Sequence, residues 1–182
     1  MFKKKITIFY IASAIFILDR LSKYFILELS SSDDSFNIPI TSFLNFNLVW
    51  NSGIAFGLFS FNEQFYYNII TLIIIIITLV ILLFAIKSNG VEKIGFSMIF
   101  GGSLGNIFDR LYYSAVVDFI DFHINNIHWF IFNIADIFIS LGVIILITIE
   151  FFGRKKNIKR ISFQIKNANE AFWKNIVWEK YS

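Results

Sequence analysis

Hydrophobic positions fall into four long runs, at residues 6–26, 68–86, 94–112 and 133–152, separated by polar or charged breaks. Each run is long enough to cross about 30 Å of hydrocarbon as a helix. The second, with its unbroken isoleucines at 73–77, is the plainest. Between the first two runs, residues 30–35 read as a polar outer turn in which Asp33 and Asp34 are solvated. Residues 36–48 mix Phe, Ile and Thr around the single proline, Pro39, and predict short strands on the membrane surface. Beyond residue 152, basic residues alternate with Ile, Phe and Trp, a pattern that predicts an interfacial amphipathic helix. The expected fold is therefore an all-α polytopic membrane protein. It has four transmembrane helices, a small extracytoplasmic β-rich segment and a cytoplasmic amphipathic tail, dividing into a membrane domain at 1–153 and a basic-aromatic tail at 154–182.

Composition supports the bilayer as solvent. Hydrophobic residues make up 57% of the chain and charged residues 16%, against roughly a quarter charged in a soluble domain. Cysteine is absent, which excludes disulfides, thiolate metal sites and a cysteine nucleophile. The net charge of +3 would suit nucleic acid if it were spread over one face. Instead, Lys3, Lys4 and Lys5 precede the first run, Lys87 and Lys93 flank the short second connection, and Arg154, Lys155 and Lys156 follow the fourth run. The connections at 24–67 and 111–132 contain no Lys or Arg. The bias of positive charge toward the cytoplasm places both termini inside and those two connections outside. The N-terminal lysines and Ala12-Ser13-Ala14 imitate a cleavable signal peptide. The apolar stretch before Ala12 is very short, however, and hydrophobicity resumes at Ile15, so an uncleaved first helix is expected.

Ionisable groups at membrane depth cost several kcal/mol and point to function. Asp19 and Lys23 lie four apart, hence one turn apart on one helix face, and predict an ion pair that shapes a site. Residues 51–57, Asn-Ser-Gly-Ile-Ala-Phe-Gly, read either as a turn or as a substrate-contacting loop, with Asn51 and Gly53 as its candidate residues. In the third run, Gly101 and Gly105 form a small-residue face for close helix packing. Asn106 and Arg110 share the other candidate face, with Arg110 either clamped to Asp109 or another acid or contacting substrate. Asn133 suits the N-cap of the fourth helix, which leaves Asp136 without an obvious structural role. Two carboxylates at a low-dielectric boundary share a proton, so one serves as base toward water and the other as acid. Residue spacing alone does not choose among Asp109, Asp118, Asp121 and Asp136. His123 and His128 with nearby acids form a weak metal-site candidate, lacking a clear third ligand. A proton-coupled carrier or channel subunit is the alternative function, and a non-catalytic assembly factor a third.

Five stretches, taken in order, resemble the lipoprotein signal peptidase family, also called signal peptidase II. They are residues 19–23 (Asp-Arg-Leu-Ser-Lys), 51–57, 101–110, 116–119 (Val-Val-Asp-Phe) and 132–136 (Phe-Asn-Ile-Ala-Asp). The resemblance spans residues 6–152 and implies an aspartic endopeptidase of the bacterial cytoplasmic membrane. Such an enzyme cuts the signal peptide from diacylglyceryl-modified prolipoproteins just before the lipidated cysteine. By position, the resemblance makes Asp118 and Asp136 the catalytic pair, with Asp19, Lys23, Asn51, Gly53, Asn106, Arg110 and Asn133 binding substrate or supporting the site. It further implies no metal or dissociable cofactor, membrane lipid and a lipidated substrate as partners, no nucleic acid, a monomer, and inhibition by globomycin-type cyclic peptides.

Overall fold

The computed structural model describes residues 2–31, 36–53, 63–124 and 127–181. It divides into two compact units, residues 1–145 and residues 146–182. Four helices are present, α1 (Phe2–Ser30), α2 (Glu63–Lys87), α3 (Gly90–Tyr113) and α4 (Ile134–Tyr181). Four strands accompany them, β1 (Asn37–Thr41), β2 (Leu44–Asn51), β3 (Val116–Ile124) and β4 (Ile127–Phe132). They form one antiparallel sheet in the order β1-β2-β3-β4. The anticipated fold was all-α with short strands confined to the 36–48 region. Within the connection at 111–132, β3 and β4 pair with each other and join that segment in a single sheet. Asp33 and Asp34, and residues 54–57 of the glycine-containing stretch, lie outside the described residues.

α2 is helical throughout, its β-branched isoleucines at 73–77 included. Residues 64–87 of α2 and 134–153 of α4 are long and apolar enough to cross a membrane. α1 and α3 carry more charge, including Asp19, Arg20 and Lys23 on one and Glu92, Lys93, Asp109 and Arg110 on the other. α4 continues as helix through the predicted tail to Tyr181, with no break at residue 153.

Helix α3 is the centre of the first unit, packing against both α1 and α2. The glycine face anticipated at residues 101 and 105 meets α1. A methyl group at Gly101 would sit 2.8 Å from the Ala12 Cα, and one at Gly105 would sit 2.5 Å from an Asp19 carboxylate oxygen. Gly102 faces α4, where an added methyl would lie 2.6 Å from the Ala135 carbonyl oxygen. These close approaches bring the polar faces of α1, α3 and the start of α4 to one point. α3 then ends at Ser114, whose left-handed backbone (φ 57°) turns the chain into β3.

Strand β3 is buried from Val116 through Asp121. Its Phe119 and Ile120 form a core with Ile26 and Phe36, packed by Leu44, Phe46, Leu48, Phe132, Ile134 and Ile137. The sheet is thereby held against the end of α1 and the first turn of α4. β2 carries an extra residue between Phe46 and Val49 opposite β3. Such bulges re-aim side chains, and this one lies beside the pairing of Val49 with Asp118.

Candidate active site

Asp118 and Asp136 come from different elements, and Asn133 touches both. Its side-chain amide donates to Asp118 Oδ1 at 2.6 Å. Its backbone N–H donates to Asp136 Oδ2 at 3.2 Å, and its side-chain oxygen accepts from the Asp136 N–H at 3.0 Å. The last two bonds form a reciprocal capping box at the start of α4, with aspartate in the place usually taken by glutamate. Asp136 therefore does take part in the cap, alongside the Asn133 anticipated there, while its other oxygen accepts from Asn106 Nδ2 at 2.7 Å.

Asn51 completes the setting of Asp118, donating from Nδ2 to Oδ2 at 2.9 Å. The register explains the reach. Asn51 pairs directly with Val116, so Asp118, two residues along, is its diagonal neighbour on the same sheet face. Gly53 acts one step further back. Its N–H donates to Asn51 Oδ1 at 2.8 Å, in a turn that needs the positive φ of 78° found at Gly53.

Behind the acid pair lies a buried charged network. Lys23 Nζ contacts Asp19 Oδ1 at 3.0 Å and Asp109 Oδ2 at 2.6 Å, and donates to Asn106 Oδ1 at 3.1 Å. The predicted Asp19–Lys23 pair is thus present, with Asp109 as a second acid. Asn106 Oδ1 also accepts from Asn133 Nδ2 at 3.1 Å. Asn106 therefore joins the Lys23 charge to the groups that hold both carboxylates. Asp19 Oδ1 accepts the Ala135 N–H at 3.1 Å, and Asp109 Oδ2 the Val117 N–H at 3.2 Å, so the network also fixes the residues preceding Asp136 and Asp118.

Of the two roles left open for Arg110, the clamp is not found. Arg110 is not clamped to Asp109 or to any other acid among the described residues. Its only hydrogen-bond acceptor there is the Asn106 carbonyl oxygen at 3.3 Å, and its Nε is buried without a partner. The clamp is Arg20, which the sequence reading missed. It lies next to Asp19, and neighbouring helix residues point about 100° apart. Its role depends on Asp109, 89 positions further on, and no local pattern reveals that contact.

The remaining acid candidates are occupied elsewhere. Asp121 faces away from Asp118 and lies 2.6 Å from His128 Nδ1. His128, on β4, pairs with His123 on β3. No group of three or more metal-ligating residues occurs among the described residues. Asp118 and Asp136 thus remain as the two carboxylates that share neighbours without a countercharge in direct contact.

Burial pushes the Asp118 carboxyl up to about 6, reinforced by the nearby Asp136 charge and opposed by the bonds from Asn51 and Asn133. A carboxyl so placed holds a proton into the mildly acidic range, as a group alternating between acid and base requires. Asp136 also lines a cleft of about 450 Å³ whose other walls are Phe122, Phe130, Ile131, Phe132, Ile137, Ser140 and Leu141. One carboxylate in an otherwise largely apolar cleft suits an apolar chain presenting a single polar bond for attack.

The arrangement of helices and sheet is shared with membrane enzymes of known structure. Two solved structures, each described as a bacterial membrane enzyme, are 34% identical to the chain with TM-scores of 0.66 and 0.65. They cover 83% and 78% of it, and 90% of their own chains. More particularly, the family model for signal peptidase (SPase) II matches residues 11–152, and the chain belongs to that family. A lipoprotein signal peptidase of Pelagibacter ubique is 48% identical over 78% of this chain and 86% of its own length. That of Francisella tularensis subsp. novicida is 40% identical over 86% of this chain and 99% of its own.

Proposed function

We propose that the chain is an aspartic endopeptidase that removes signal peptides from diacylglyceryl-modified prolipoproteins, cutting just before the lipidated cysteine, with Asp118 and Asp136 as its catalytic pair. The observation that carries this reading is the attachment of both carboxylates to Asn133, each with a further amide donor, Asn51 or Asn106. Family membership supplies the substrate class, since the relatives described above are lipoprotein signal peptidases.

The pair enters the reaction with one proton. The ionised carboxylate takes a proton from water as the water oxygen bonds to the scissile carbonyl carbon, and the protonated one hydrogen-bonds the developing oxyanion. Collapse of the tetrahedral intermediate breaks the C–N bond, and the dyad delivers a proton to the departing cysteine amine. Asn51, Asn106 and Asn133 hold the carboxylates throughout. Arg110, which is partly exposed and is held by no acid among the described residues, is available to a substrate carbonyl through its guanidinium.

The protein sits in the bacterial cytoplasmic membrane with four spans and both termini cytoplasmic. Exposure supports all four. α1 buries Asp19 and Lys23 while leaving Phe9 68% and Leu18 51% exposed, and α3 buries Asn106 and Asp109 while leaving Leu111 67% exposed. Such inverted helices are stable where the surroundings are lipid. The substrate enters sideways with its acyl chains still in the bilayer, and its scissile bond meets the acids near the outer face.

Incubation of the purified protein with a lipidated prolipoprotein, followed by mass measurement, tests the proposal. Release of a peptide ending just before the modified cysteine is expected, with little or none from the unlipidated precursor. Equal cleavage of both precursors would overturn the substrate assignment.

A further inference from the structure

The acid pair is not the only place where carboxylates crowd together. Asp19 and Asp109 are both fully buried at the seam of α1 and α3, and Lys23 reaches both. An ammonium has three donors, and Lys23 directs its own at Asp19, Asp109 and Asn106. One buried negative charge is then left over, a costly arrangement in a low-dielectric site.

Arg20 supplies the missing charge. Its Nη2 lies 2.6 Å from Asp19 Oδ2 and also donates to the Gly105 carbonyl oxygen at 3.1 Å. Its Nη1 lies 2.6 Å from Asp109 Oδ1, a close charge contact without a well-aligned hydrogen bond. The guanidinium carbon stands 4.7 Å from the Phe108 ring centre and 5.8 Å from that of Phe16. These rings cover the cation and limit its motion. Arg20, Asp19, Lys23 and Asp109 thus close a ring of alternating charge. Lysine in place of Arg20 would keep the charge but lose the planar fork whose separate nitrogens meet Asp19 Oδ2 and Asp109 Oδ1.

This ring connects directly to the acid pair. Lys23 reaches Asn106, Asn106 reaches Asp136 and Asn133, and Asn133 reaches Asp118. Other ionisable groups around the pair are Asp109 and Arg110 on α3, Tyr67 on α2, whose hydroxyl donates to the Arg110 carbonyl oxygen, and the Asp121–His128 contact between β3 and β4. None of these groups touches both Asp19 and Asp109 among the described residues; Arg20 does so alongside Lys23 and brings the second positive charge.

We propose that Arg20 is a positioning residue that sets the pH range of the protease by balancing the second buried acid behind the catalytic pair. This inference rests on Asp118 and Asp136 being that pair. With Arg20 neutral, surplus negative charge stands behind two carboxylates that must share one proton, and they hold that proton more tightly.

The test is the pH dependence of kcat/KM for Arg20→Gln and Arg20→Lys, with Asp118→Asn assayed alongside. In Arg20→Gln, both limbs of the profile are expected to move to higher pH by about one unit. In Arg20→Lys, which keeps the charge but loses the fork, the limbs stay in place while kcat falls. An Arg20→Gln profile superimposable on the unmodified protein, whatever its absolute rate, overturns the inference. If Arg20→Gln does not fold, the lysine variant decides, because a shifted profile with the charge preserved also overturns it. An inactive Asp118→Asn beside an unshifted Arg20→Gln removes only the role of Arg20. Turnover by Asp118→Asn removes the acid-pair reading and this inference together.

Discussion

At Asn133, helix capping and carboxylate placement fall to one side chain, and substitution separates them. Serine caps a helix nearly as well as asparagine but is too short to reach Asp118 or Asn106. Asn133→Ser keeps the cap but withdraws the buried amide from Asp118 and Asn106, so thermal unfolding in detergent should show a loss of about 1–3 kcal/mol, while turnover falls about 10- to 100-fold through misplacement of Asp118. Asn133→Ala, which removes the cap as well, should lose about 1 kcal/mol more stability with little further loss of turnover, and equal stability of the two variants would contradict the division of roles. Asp118 gives a second test at this scale. Its carboxyl ionises near 6 in the fold and near 3.8 when exposed, so the folded state holds the proton more tightly. Its contribution to stability accordingly falls as pH rises from about 4 to about 6 and is level above. The stability difference between Asp118→Asn and the unmodified protein should change over that interval and stay constant at higher pH. Activity follows the same proton, declining on the alkaline side once the shared proton is lost.

Legibility at this scale was uneven. The Asp19–Lys23 pair and the Asn133 cap were readable because both are local, set by helix geometry over three or four residues. The selection of Asp118 and Asp136 from four candidate acids needed the ordered motifs. The sheet then gives physical company to that selection, since Asp121 turns to His128 and Asp109 is held by two cations. Arg20 takes the clamping role that was one of two left open for Arg110, because a contact from α1 to α3 leaves no trace in either segment alone.

Among the elements, α3 carries the tightest constraints. A methyl at Gly101 meets the Ala12 backbone, which cannot rotate away, so Gly101→Ala should cost about 1–3 kcal/mol and separate α1 from α3. Gly153, with nothing within 4 Å of an added methyl, should tolerate alanine or gain up to about 1 kcal/mol from helix propensity. Thermal unfolding of both variants in the same detergent checks the contrast. Hydropathy located every helix to within a few residues at most ends. It failed at β3 and β4, because β3 is buried on both faces and includes two acids, which hides the alternation by which strands are recognised. It also stopped α4 at residue 152, since the polarity changes there but the helix does not.

For the whole molecule, the proposed topology follows from the positions of Lys and Arg, and the absence of cysteine makes it directly measurable. Single cysteines introduced at Asn37 and Asn89 should differ toward a membrane-impermeant maleimide applied to intact spheroplasts. The first is expected to react, the second only after permeabilisation. The opposite pattern would reverse the orientation and place the acid pair on the wrong side for a substrate arriving at the outer face. Inverted burial on α1 and α3 unites the scales here. In the proposed topology, polar residues face inward, where catalysis needs water and charge, and apolar residues face outward into lipid.

The central claim, that Asp118 and Asp136 together perform the hydrolysis, is tested most directly by single-turnover cleavage of a lipidated prolipoprotein by Asp118→Asn and Asp136→Asn, each first verified as folded and membrane-inserted. The account predicts that each substitution lowers the cleavage rate by at least about a thousandfold. Cleavage by either variant at a rate near that of the unmodified protein would contradict it.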